Sequence, residues 1–267
     1  MIDVIKQQFK QGMSVNQKLN VTREFLQILT LKILNDKKLF EQIAFVGGTS
    51  LRILYDIKRF SDDLDFSLIK KEKYDFGKIH SELSKEFNLY GLAFEAEPHK
   101  QKTVHSMMMK FSSLLKDLGL SPMSSQKFSI KLEIDTNPAS GWELGSTIIS
   151  KNYTFNIVHY NLPSLYAGKL HACFYRKFTK GRDFYDFIWY LGKKVKPNFT
   201  LLNNAIAQTR GKNPKISESN FKTYLLNSIK RIDFATARKD VERFLEDKSE
   251  LKLFDLKLIS NTIENTY

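Results

Sequence analysis

Between Gln17 and Asp36 the apolar residues Leu19, Phe25, Leu26, Leu29, Ile33 and Leu34 recur at three- and four-residue steps. That spacing lines one face of an α-helix, so a helix is predicted there. The period then changes. Ile43-Ala44-Phe45-Val46 is a short apolar run stopped by Gly47-Gly48, which reads as a buried strand ending in a turn, and Thr49 to Tyr55 reads as helix again. Leu64, Phe66 and Leu68 alternate with Asp63, Asp65 and Ser67, which predicts a second strand with one apolar and one polar face. A helix is expected near Asp75–Asn88, with strands at Leu92–Glu97, Val104–Ser112 and Phe128–Asp135. The last of these alternates as well, and it sets Lys131, Glu133 and Asp135 on one face. Met107-Met108-Met109 falls inside a predicted strand and reads as core rather than as a ligand box.

Beyond Pro163 the pattern is helical, with candidates at Ser164–Tyr175, Asp183–Leu191, Thr200–Thr209, Ser219–Lys230 and Thr236–Glu246. Pro163, Gly181, Pro197 and Gly211-Lys212-Asn213-Pro214 punctuate them, and no internal repeat is visible. The expectation is an α+β protein. Residues 1–160 would form a domain with a mixed β-sheet flanked by helices, and residues 161–267 a mostly helical domain.

Composition narrows the class. With 42% hydrophobic and 13% aromatic residues, the 267-residue chain can bury a substantial core, which excludes general disorder. A single cysteine, Cys173, excludes an internal disulfide framework and a multi-cysteine zinc site, and points to a reducing cytoplasm. No run approaches the ~18 apolar residues of a membrane span and the N-terminus carries no apolar leader, so neither secretion nor a membrane partner is expected.

Charge adds a partner class. The chain has 42 Lys+Arg against 29 Asp+Glu, a net +13. Residues 1–160 hold 22 basic and 18 acidic side chains, and residues 161–267 hold 20 and 11. Within 169–215 there are eleven Lys/Arg and only two acids, Asp183 and Asp186. Such a stretch is either a solvated surface or a seat for a polyanion.

The candidate chemistry lies in Gly47-Gly48-Thr49-Ser50-Leu51-Arg52 and in Arg59-Phe60-Ser61-Asp62-Asp63-Leu64-Asp65-Phe66. Glycines between a strand and a helix let backbone N–H groups approach phosphate oxygens, with Thr49 and Ser50 as further donors. Asp63 and Asp65, two apart on a strand, project from one face and can jointly hold Mg²⁺, which takes oxygen ligands. Asp62 points to the opposite face and is left out of the metal site. His171 and Cys173, two apart on a helix, share no face and read as packing residues. Tyr153, Tyr160, Tyr166, Tyr175 and Phe178 bracket the basic stretch, where they either fill core or stack on bases.

A glycine turn, a flanked Asp-x-Asp and an acid on a separate strand (Glu133 or Asp135) resemble the DNA polymerase β-like nucleotidyltransferase superfamily. More narrowly, the two segments around Gly47 and Asp63 resemble the first motif of the AbiEii/AbiGii toxin family, and Lys131-Leu132-Glu133-Ile134-Asp135 is similar to its second. Ala167-Gly168-Lys169-Leu170-His171-Ala172, ending in Arg176, resembles the third motif, and Gly181-Arg182-Asp183-Phe184-Tyr185-Asp186 the fourth. The resemblance covers residues 44–66, 129–136 and 166–191. Gly168 stands where a bulkier residue is usual, and Asp135 where a polar amide is expected.

The resemblance implies an N-terminal nucleotidyltransferase fold and a Mg²⁺- or Mn²⁺-dependent transfer of NMP from NTP to an acceptor hydroxyl, with pyrophosphate leaving. The metal ligands would be Asp63, Asp65 and a third acid, with Glu133 preferred over Asp135 because Leu132 and Ile134 flank it. Gly47, Gly48, Thr49, Ser50, Ser61 and Lys169 would bind the nucleotide. Asp63, Asp65, Lys169, Asp183 and Asp186 would be the catalytic set. The implied acceptor is an RNA, tRNA 3′ ends foremost, held by Arg176, Lys177, Lys180, Arg182, Lys193 and Lys194 across a basic cleft. The implied setting is the toxin half of a toxin–antitoxin or phage-defence pair, with an antitoxin as a possible partner. The alternatives are a transferase acting on a protein or small molecule, and a non-catalytic nucleotide- or RNA-binding protein.

Overall fold

The structure is a computed structural model that describes residues 1–178 and 180–267. The chain falls into two compact units: Met1–Thr49, Ser61–Asn137 and Ser146–His159 make the first, and Ser50–Phe60, Pro138–Gly145 and Tyr160–Tyr267 the second.

The first unit opens with α1 (Ile2–Lys6) and α2 (Val15–Asp36). Ser14 and Gln17 close a reciprocal capping box that fixes where α2 begins. The helix buries Phe25, Leu26, Ile28, Leu29, Leu31, Ile33 and Leu34, more of its circumference than a single stripe. The chain continues through β1 (Ile43–Val46), α3 (Gly47–Tyr55), β2 (Leu64–Leu68), α4 (Phe76–Leu89), β3 (Phe94–Glu95), β4 (Pro98–Lys100) and β5 (Val104–Phe111). Then come α5 (Leu114–Asp117), β6 (Phe128–Asp135), β7 (Leu144–Ser150) and β8 (Thr154–Tyr160). The sheet order is β3-β5-β6-β2-β1-β8-β7, with β4 against β5. It is mixed: β2 runs parallel to β6 and β1 to β8, while β1/β2, β3/β5, β4/β5 and β5/β6 are antiparallel.

Strands β1 and β6 have the bounds their sequence pattern predicts. The predicted Leu92–Glu97 strand shrinks to two residues, and the chain re-enters the sheet as β4. Strands β7 and β8 were not predicted. At the sheet edge β7 buries only Ile149, so it lacks an alternating core face, whereas β8 buries Phe155, Ile157 and His159 in regular alternation and was legible. Met107 and Met109 are buried and Met108 is exposed, so the core reading holds for two of the three.

The second unit takes α3 from Ser50 onward and holds α6 (Leu162–Tyr175), α7 (Gly181–Lys193), α8 (Phe199–Arg210), α9 (Glu218–Ile229), α10 (Phe234–Val241) and α11 (Leu256–Thr266). The predicted Thr236–Glu246 helix ends at Val241 and tightens into a 3-10 turn over Glu242–Phe244. Segments 50–60 and 138–145, placed by sequence with the first domain, belong to the second unit because their backbone is bonded there. Phe60 N–H donates to the Phe244 carbonyl at 2.8 Å. Asn198 Nδ2 donates to the Gly141 carbonyl at 2.8 Å and Asn204 Nδ2 to that of Ser140 at 2.9 Å. Gly181 begins α7 where a Cβ would stand 1.9 Å from the Ala237 carbonyl oxygen, so α7 packs on α10 only with a glycine there. No helix among the described residues is long and apolar enough to cross a membrane.

Candidate active site

The acidic face is set by strand register. Parallel pairing of β2 with β6 puts Asp65 beside Glu133 and Ser67 beside Asp135, while Leu64, Phe66, Leu132 and Ile134 turn into the core on the other side. Asp63 lies one residue before β2. Of the two acids left open by sequence, Glu133 is thus the neighbour of Asp65, and Asp135 sits two pairs further along. Asp135 accepts a hydrogen bond from Asn137 N–H at 2.9 Å, but burial outweighs this and pushes its carboxyl above the usual range. Lys131 stands on the same face. Its Nζ is 2.7 Å from Glu133 Oε1, and that bond, against the pull of burial and with the charges of Glu133, Asp63 and Asp65, raises the ammonium above its ordinary range.

Strand β1 brings the glycine turn to this face, because Val46 pairs with Asp65 and Gly47 follows directly. Gly47 has φ +79°, and a Cβ there would lie 2.2 Å from Asp65 Oδ2. The position requires glycine twice over: for the left-handed backbone and for the space that the carboxylate occupies. Thr49 and Ser50 differ from their expected role. Both are fully buried, and the Thr49 hydroxyl donates to the Asp63 carbonyl, so it ties the turn to the acidic segment instead of facing a ligand. Ser61 uses its carbonyl to accept from Gln27 Nε2 at 3.0 Å. Asp62 pairs with Arg23 at 3.5 Å, consistent with its exclusion from the acidic face.

Asp63, Asp65 and Glu133 are all-oxygen donors suited to a hard dication, and Gly47 leaves the Asp65 carboxylate its seat, so the donor set fits Mg²⁺ or Mn²⁺. As the side chains stand, no three His, Cys, Asp or Glu among the described residues close round one point.

The second unit holds a buried charge network. Lys169 Nζ lies 2.7 Å from Asp183 Oδ1 and 2.8 Å from Asp186 Oδ2. Arg59 grips Asp186 through Nε and Nη2, both at 2.6 Å, and Arg176 Nη1 reaches Asp183 Oδ2 at 2.6 Å. Asp186 is 0% exposed and Arg59 1%. Three cations thus share two carboxylates. Burial alone would lower the Lys169 pKa, but Asp183 and Asp186 more than offset it and hold the ammonium charged, above its usual range. Burial would likewise raise Asp183, yet Lys169 and Arg176 bring it below the usual carboxylate value. Cys173 Sγ donates to the Asp183 carbonyl at 3.2 Å, and His171 Nε2 meets Thr209 Oγ1 at 2.8 Å.

The family model described as the nucleotidyl transferase AbiEii toxin of a type IV toxin–antitoxin system matches residues 29–259. The chain belongs to the AbiEii family. As an AbiEii protein it is a nucleotidyltransferase. No curated protein matches it. Among solved structures, a candidate nucleotidyltransferase from H. pylori superposes with a TM-score of 0.51 at 18% identity, over 91% of this chain and 97% of that one. JHP933 from Helicobacter pylori gives 0.47 at 18% identity over 92% and 96%. At this identity the first likeness is one of fold.

Two features of this AbiEii chain come from geometry alone. Gly168, the departure in the third motif, faces open space, so a larger residue would fit there and the glycine is no packing requirement. Arg59 belongs to the first motif, yet no local pattern marks it for burial, because its partner lies 127 residues away in sequence. The basic candidates divide into two kinds. Lys177, Lys180, Lys193 and Lys194 are exposed, whereas Arg176 is engaged with Asp183 and Arg182 lies over the Phe244 ring at 4.1 Å. Of the aromatic residues, Tyr166 is buried against Tyr190 with ring centroids 4.2 Å apart, while Phe178 is 69% exposed beneath Lys177.

Gly47→Ala is expected to lower nucleotidyl transfer about 100-fold, because the new methyl displaces the Asp65 carboxylate by the order of 1 Å. The φ strain adds roughly 1–2 kcal/mol of destabilisation. Steady-state rates alongside a thermal melt check this, and a variant that keeps full activity would show that the Asp65 seat is unimportant.

Proposed function

We propose that this AbiEii nucleotidyltransferase transfers NMP from NTP to a hydroxyl of an RNA, a tRNA 3′ end foremost, with Mg²⁺ or Mn²⁺ held by Asp63, Asp65 and Glu133. The observation that supports this is the seating of Asp65 against Gly47 with Glu133 beside it, so that the glycine turn, the candidate for phosphate, lies next to paired carboxylates. With the Thr49 hydroxyl given to the Asp63 carbonyl, the backbone of the glycine turn is what would approach phosphate. A bound dication would supply neutralising charge to the triphosphate and acidity to the attacking hydroxyl.

The acceptor oxygen bonds to the α-phosphorus, the bridging α–β oxygen leaves with the bonding pair as pyrophosphate, and the hydroxyl proton passes to a carboxylate of the acidic face. Lys169 supplies a fixed cation for the triphosphate. Its ammonium is held charged by Asp183 and Asp186, and the surplus positive charge of the network favours an anion. Asp186, wholly buried, acts as a positioning residue, and Asp183 does the same from the partly exposed end of the network. The exposed lysines 177, 180, 193 and 194 would take the RNA backbone. The biological setting we propose is the toxin of a toxin–antitoxin or phage-defence pair in the cytoplasm, with an antitoxin as cognate partner.

Incubation with all four NTPs, Mg²⁺ and total RNA, followed by mass analysis of RNA ends, is expected to show 3′ ends extended by nucleoside monophosphate. Label entering protein or small molecules, with none on RNA, would overturn the acceptor assignment.

A further inference from the structure

Lys131 has no place in the reaction as described, yet it is the cation set among the acids. It lies two residues before Glu133 on the same face of β6, with Nζ 2.7 Å from Glu133 Oε1. The β2/β6 register pairs Glu133 with Asp65 and Leu132 with Leu64, so Lys131 falls level with Asp63. An ammonium here does in part what a dication would do: it neutralises carboxylates crowded on one strand face. Its side chain is 40% exposed, so it can leave without disturbing the core.

We propose that Lys131 is a resident counter-cation that competes with the divalent metal for Glu133 and thereby couples metal binding to nucleotide binding. This rests on the reading of Asp63, Asp65 and Glu133 as the metal face. In the absence of nucleotide, the ammonium holds Glu133 and its charge opposes a second cation. When a triphosphate arrives, its oxygens attract Lys131 away from Glu133 and the carboxylate is released to the metal. Metal and nucleotide then each favour the binding of the other, as linkage requires.

The experiment is Mn²⁺ titration followed by electron paramagnetic resonance, on the full-length protein, with and without a non-hydrolysable NTP analogue. Wild-type protein is expected to bind Mn²⁺ more tightly when the analogue is present. Lys131→Met is expected to bind Mn²⁺ alone about fivefold more tightly, the scale of one part-exposed ion pair, and to show a smaller gain from the analogue. Lys127→Met removes a lysine paired with Glu95 and should leave both affinities unchanged. If Lys131→Met binds Mn²⁺ no more tightly than wild type, or keeps the full coupling, the proposal is overturned. If instead Asp65→Asn leaves wild-type Mn²⁺ affinity intact, the metal-face reading itself fails, and the proposal fails with it.

Discussion

Arg59→Met is expected to destabilise the protein by about 3–5 kcal/mol, a fall in melting temperature on the order of 10 °C. Asp186 is completely buried, and both of its oxygens are gripped by the Arg59 guanidinium at 2.6 Å. Methionine fills a similar volume but supplies no charge, which leaves the carboxylate with Lys169 as its one cationic partner among the described residues. The cost arises from stranding a buried charge rather than from losing a strong bond, since burying both ions was itself expensive. The double variant Arg59→Met/Asp186→Leu should therefore melt higher than Arg59→Met alone, because no carboxylate is then left without its guanidinium. It should still transfer poorly, because Lys169 has lost one of the two acids that position it. Circular-dichroism melts of wild type, single and double variants give the answer. A single variant that melts with the wild type would show that the network carries no stability.

The pattern of apolar positions revealed the elements that bury one clear face. The Leu64/Phe66/Leu68 alternation and the Phe128–Asp135 alternation correspond to β2 and β6, the strands that carry the acids. It missed β7, whose exposed edge position leaves no core face to detect, and it stretched β3, whose residues the chain abandons after Glu95. Membership of segments 50–60 and 138–145 was not legible, because it depends on hydrogen bonds to residues far along the chain, such as Asn198 and Phe244.

For the site, type and spacing singled out Asp63 and Asp65 as candidates, and the family resemblance added Glu133, Lys169, Asp183 and Asp186. What sequence could not supply was the direction in which hydroxyls and ammonium groups point. Thr49 looks like a phosphate donor by type, yet it is turned inward onto the Asp63 carbonyl. Lys169 looks like a surface lysine by composition, yet it is nine-tenths buried between two acids. Arg59 acts through a partner 127 residues further along the chain, which local periodicity cannot register.

Asp65 is the best-placed member of the acidic face, seated on Gly47 and paired with Glu133. Asp65→Asn keeps the size and shape of the side chain and removes one negative charge, so folding should be little changed while charge stabilisation of the reacting phosphate is lost. Metal-dependent pyrophosphate release from NTP in the presence of RNA measures this directly. The expected result is turnover by wild-type protein and a fall of about 10³-fold in Asp65→Asn, with an unaltered melting curve. Pyrophosphate release by Asp65→Asn at the wild-type rate would contradict the assignment of this face to nucleotidyl transfer.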